Sequence, residues 1–205
     1  MKKSFSEHEK KVLALARSLF LFFWAGIFLC INITINGFDL LHDFIGHLFA
    51  IAGAFSLLSS YSLLEKKYKI FSWAVSVIVF LSFIAYIVNQ ALLNQTNAVW
   101  NSFVAMLFPI FLVTFVYIGM GISKKFAEAM LVHWKRLFFI FFVFLLVIIG
   151  MQLVSLAASE TFEAYSVQLT GIYPILFLIG AIILTIYSFT TVWGTYKYLR
   201  KSVNK

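Results

Sequence analysis

The chain has 205 residues, 62% hydrophobic and 12% charged, and its 16 Lys and Arg against 8 Asp and Glu give a net charge of +8. A mean hydropathy of +0.97 excludes an ordinary soluble domain. The positive charge comes in short groups beside apolar segments, a pattern of topology signals and anionic-lipid contacts, so no nucleic-acid partner is expected.

In chain order, Ser4 with Glu7 and Ser6 with Glu9 fit the capping-box spacing and predict a helix starting near the N-terminus. That helix runs into a first span over about 13–35. The stretch ends in Ile31-Asn32-Ile33-Thr34-Ile35-Asn36 rather than in small residues, so it is expected to stay as a span and not to be cleaved as a signal. Cys30 within it has no internal disulfide partner and reads as packing. Asn36-Gly37 marks a turn, and a second span follows over about 40–64. The third covers about 70–92, and the fourth, about 100–122, contains Pro109, where a static kink is expected.

Between Ser123 and Arg136, Phe126, Met130, Leu131 and Trp134 recur at near-helical spacing opposite Lys124, Lys125 and Glu128. This predicts a short helix lying in the headgroup layer. The fifth span, about 137–158, is apolar around its whole circumference and should face lipid broadly. Pro174 sits where a first-turn proline is tolerated, opening a sixth span over about 173–196. The inner-half hydroxyls of that span, Thr185 to Thr195, are expected to bond to their own or a neighbouring helix. Trp100, Tyr165 and Tyr173 would form one aromatic belt, and Trp73, Trp134, Trp193, Tyr196 and Tyr198 the other.

On this plan all sixteen Lys and Arg fall on one side of the membrane, whereas the opposite side holds Asp39, Asp43, Glu160 and Glu163. Basic loops resist translocation, so both termini are predicted cytoplasmic. The fold class is therefore an all-α polytopic integral membrane protein of the cell membrane. One domain, 1–205, carries six transmembrane helices.

The chemistry concentrates in residues 36–47, Asn-Gly-Phe-Asp-Leu-Leu-His-Asp-Phe-Ile-Gly-His. At about 100° per residue, Asp39, His42, Asp43 and His47 fit an arc of roughly 140° at the outer end of the second span. Below them runs a stripe of small residues, Gly46, Ala50, Gly53 and Ala54, which would let a neighbouring helix approach closely. Asp39 and Asp43 should then face the bundle mouth, and with His42 and His47 they form the candidate ligand-binding set. Asp43 and His47, one turn apart, are the candidate metal pair. A carboxylate–imidazole pair binding or relaying a proton is a second reading. A third is purely structural: Asp39 caps a helix start, and the imidazoles pack. All three stay open.

The stretch Gly37-Phe38-Asp39-Leu40-Leu41-His42-Asp43-Phe44-Ile45-Gly46-His47 resembles a signature Gly-Phe-Asp-Ile/Leu-Leu-Pro-Asp-Phe-Ile-Gly-Tyr. That signature belongs to uncharacterised six-span membrane proteins of low-GC Gram-positive bacteria. The resemblance covers about a dozen residues and a similar hydropathy plan. It implies a bacterial multi-span protein and no particular activity. His42 stands where the signature has proline and His47 where it has tyrosine, so the imidazoles depart from it. Nickel/cobalt permeases are more faintly similar; their His-x4-Asp-His order is not reproduced by His42-Asp43 and His47.

No nucleophile motif or phosphate loop is present, so no enzymatic activity and no cofactor are expected. The expected function is a small transporter or ligand-binding membrane subunit with an outward-facing polar mouth at Asp39 and Asp43. The alternative is a non-transporting accessory or scaffold subunit. Expected partners are the lipid bilayer, a membrane-protein partner or a second copy of the chain, and a small ligand or ion. Gly46, Gly53, Pro109 and Pro174 are the expected structural positions. A transporter should hold a polar cavity reaching mid-membrane, and a scaffold a dry interior.

Overall fold

The computed structural model describes residues 6–30, 40–91, 98–157 and 173–203, with side chains over 6–29, 44–88, 106–150, 180 and 182–203. Among these the chain is all helix, without a strand. The helices are α1 (Glu7–Cys30), α2 (Leu40–Ser60), α3 (Lys66–Ala91), α4 (Ala98–Phe126), α5 (Leu131–Ala157) and α6 (Tyr173–Val203). Single 3-10 turns, Tyr61–Leu63 and Glu128–Met130, precede α3 and α5. Five stretches within α1 to α5 and these turns are long and apolar enough to cross a membrane: Glu7–Leu29, Phe44–Leu63, Lys66–Val88, Met106–Phe126 and Glu128–Gly150. At 31 residues α6 is the longest of the described helices, about 46 Å at 1.5 Å per residue.

The start of α1 is fixed by a reciprocal cap. Ser6 donates its backbone N–H to Glu9 Oε2 at 2.6 Å, and Glu9 returns its N–H to Ser6 Oγ at 3.2 Å. From there Val12, Leu15, Ala16, Leu19, Phe22 and Phe23 recur at helical spacing and are all buried. This face makes α1 the hub of the bundle, touching α2, α6 and α4. The order around the bundle is α6, α1, α2, α3, α4, α5, and α5 meets α6 only sparingly.

Where helices meet in apolar surroundings, contact strength comes from close packing rather than from water exclusion, so small residues matter. Gly46 and Gly53 of α2 are buried against α1. A Cβ at Gly46 would lie 2.9 Å from Leu29, and one at Gly53 would lie 2.8 Å from the Phe22 ring. Ser56 ties the same pair of helices by donating to the Ala14 carbonyl at 3.1 Å. At the opposite side of the core, Gly121 of α4 accepts the Tyr68 ring of α3 and Gly119 accepts the Trp134 ring of α5. α4 runs on through Pro109, and Pro174 is the second residue of α6.

The connection from α4 to α5 departs from the sequence expectation of an interfacial helix. α4 continues to Phe126, one 3-10 turn follows, and α5 starts at Leu131. Trp134 belongs to no belt either; it is wholly buried. An indole can be interior when its N–H finds a partner. Here Trp134 Nε1 donates to Thr195 Oγ1 at 2.8 Å, which wins over the headgroup position its spacing suggested. Trp73 and Tyr198, by contrast, are exposed.

Candidate functional site

α2 opens with Leu40-Leu41-His42-Asp43, and its register sets Asp43 one turn before His47. Asp39 and the side chains of His42 and Asp43 lie outside the described residues. Of the four candidate ligands, the structure places the side chain of His47. It is buried, 5% exposed, and packs on two rings of α3: Phe83 at 5.8 Å and Tyr86 at 5.0 Å between centroids. Phe44 meets Phe83 from the same helix face at 6.4 Å. The imidazole is thus held in an aromatic corner between α2 and α3.

Behind it is a cavity of about 10 Å³ lined by His47 and Ser82 together with apolar groups including Leu29, Phe108 and Phe111. A single water needs roughly 10–15 Å³, so this space takes at most one. Several other interior hydroxyls bond to their own helix, whereas Ser188 Oγ is buried with no hydrogen-bond partner among the described residues. Ser18 donates to Leu15 O at 2.8 Å, Ser72 to Tyr68 O at 2.9 Å and Ser76 to Ser72 O at 2.9 Å. Thr114 back-bonds to Ile110 O at 2.7 Å. A hydroxyl that donates to its own helix has spent its proton and keeps only acceptor lone pairs for a solute. Among the described residues, no three His, Cys, Asp or Glu side chains come together as a metal site.

The basic end holds a second polar cluster, which motif reasoning missed. Thr195 of α6 accepts from Trp134, donates to Thr191 O at 2.9 Å and lies 3.4 Å from Ser123 of α4. Three helices are pinned at one hydroxyl. One residue from Trp134, His133 Nδ1 lies 3.0 Å from Tyr187 OH on α6. The signal available in the sequence was the run Gly119, Gly121, Ser123, a small-residue track on α4.

Charge at this end is partly engaged in joining helices. Lys124 Nζ donates to Glu65 Oε1 at 2.9 Å, and Lys125 Nζ to the Leu63 carbonyl at 2.6 Å. The end of α4 therefore grips the connection between α2 and α3. The bond from Lys124, with the nearby positive charges, holds the Glu65 carboxyl below its ordinary value.

Comparison with protein-family models, with curated proteins and with solved structures gives no match in any of the three.

Proposed function

We propose that this chain is a six-span membrane protein with both termini cytoplasmic, acting as a non-enzymatic accessory or scaffold subunit. The observation that carries the reading is the interior. The cavity beside His47 holds about 10 Å³, and the buried hydroxyls of Ser18, Ser72 and Ser76 elsewhere in the bundle bond to their own backbones. A solute pathway needs polar groups facing an open lumen, whereas a scaffold needs rigid packing between helices. The gathering of all Lys and Arg toward one face in a six-span plan supports the orientation.

The test is paired. Reconstituted vesicles should leak protons and monovalent ions no faster than protein-free vesicles, and cross-linking in native membranes should give a discrete adduct larger than the 23.5 kDa chain. Saturable flux that is lost in Asp43→Asn would contradict the scaffold reading.

One observation favours the second reading, an outward-facing ligand mouth. His47 is an ionisable group buried inside an apolar helix, and such groups mark functional sites more often than packing alone explains. On that reading Asp43→Asn impairs ligand binding and Asp39→Asn, which still caps a helix well, is mild. Calorimetric titration with Zn²⁺, Ni²⁺ and Co²⁺, using His47→Ala as control, tests the metal version; no saturable heat ends it.

A further inference from the structure

α5 and α6 touch little, and an open groove of about 540 Å³ lies between them toward the basic end. Val132, Phe139 and Ile140 form its apolar wall, Lys135 and Arg136 supply two cations, and Tyr187 closes it from α6. Neither cation has a carboxylate within ion-pair distance among the described residues, unlike Lys124, which meets Glu65. Both stand in the second turn of α5. An anion in the groove would offset both charges. Above the charges the walls stay apolar: Phe139 is 68% exposed, and Ile183, one turn from Tyr187 on the same face, is 62% exposed.

We propose that this groove seats one anionic phospholipid. Its phosphate lies against Lys135 and Arg136, within reach of the His133–Tyr187 pair, and its acyl chains run along Phe139 and Ile183. Charge beside a lipid-facing apolar wall suits a molecule with a charged head and apolar tails. A lipid there would also fill a seam where, among the described residues, α5 and α6 touch sparingly. The inference rests on the membrane reading above but not on its orientation, since lipid selectivity in detergent is independent of which face is cytoplasmic.

Native mass spectrometry of the purified chain with equimolar phosphatidylglycerol and phosphatidylcholine tests it. The chain should retain a single phosphatidylglycerol in preference to phosphatidylcholine. Lys135→Gln/Arg136→Gln should weaken that retention roughly ten- to thirty-fold, the effect of removing two surface charges from an anionic lipid. Lys197→Gln/Arg200→Gln, the same charge change on the exposed end of α6, should leave it intact. Val132→Trp, which fills the groove without altering charge, should lower it too, with unchanged melting in detergent as the check on folding. Equal retention of the two lipids, or equal loss in both double variants, would overturn the site. Displacement by millimolar inorganic phosphate would overturn the lipid in favour of a soluble anion. Cysteine labelling in intact cells reports on the membrane reading separately, so the two can fail independently.

Discussion

α4 and α5 are nearly equal in hydropathy, 2.0 and 2.2, yet over 18-residue parts of their apolar stretches 61% of one is buried and 17% of the other. The difference lies in what interrupts the apolar run. α4 carries Gly119, Gly121 and Ser123, which admit the Trp134 ring, the Tyr68 ring and the Thr195 hydroxyl. Between Leu131 and Gly150, α5 has only Gly150 as a small residue, and nothing lies within 4 Å of where its Cβ would be. Hydropathy thus marks which helices can enter a membrane, whereas small residues decide which of them take the middle.

The largest expected effect breaks that contrast directly. Gly119→Leu or Gly121→Leu would drive a side chain into an aromatic ring, at 2.5 Å from Tyr68 in the second case. Each should cost about 3 kcal/mol or more as overpacking. Gly150→Leu should be neutral, or stabilising by up to about 1 kcal/mol, because glycine is a poor helix former. Thermal unfolding in detergent checks both, and equal melting of the α4 and α5 variants would end the distinction.

A smaller effect sharpens it. Thr195→Val leaves the buried Trp134 N–H without its acceptor and should cost about 1–3 kcal/mol. Phe142→Leu, on the exposed face of α5, should change melting by no more than about 0.5 kcal/mol. A Thr195→Val as mild as Phe142→Leu would mean that the three-helix junction carries no weight.

The smallest effect concerns the exposed grip of α4 on the α2–α3 connection. The Glu65 carboxyl titrates below its ordinary value of 4.5 because Lys124 bonds to its charged form. A depressed carboxylate contributes stability above its unfolded value and loses it as pH falls through the folded one. Wild type should therefore melt slightly above Glu65→Gln at pH 7, and the gap should narrow as pH falls below 4.5. A gap that does not narrow on acidification would show that the pairing is not its source.

Much of this was legible in the residues. The small stripe of α2 is visible as Gly46, Ala50, Gly53 and Ala54, and the structure sets it against Phe22 and Leu29 of α1. The lipid-like character of α5 is visible in an unbroken apolar circumference. What spacing could not give was the fate of Trp134. An amphipathic pattern beside lysines suits the headgroup layer equally well until a partner hydroxyl some sixty residues away, Thr195, is known to accept its N–H. The α5–α6 groove was hidden for the same reason, since a seam between helices depends on which neighbours fail to touch. Of the candidate ligands, His47 was legible as a helix-face residue. Its aromatic corner was not, because Phe83 and Tyr86 come from the next helix.

The central claim is a membrane bundle whose basic end is cytoplasmic. The most direct test introduces single cysteines in a Cys30→Ser background at Lys67, Lys125 and Lys201, and at Thr96 and Glu163, then treats intact cells with an impermeant thiol reagent. The account predicts that the first three are shielded until the cells are opened, and that the last two label at once. Labelling at Lys125 in intact cells with none at Thr96 would contradict it.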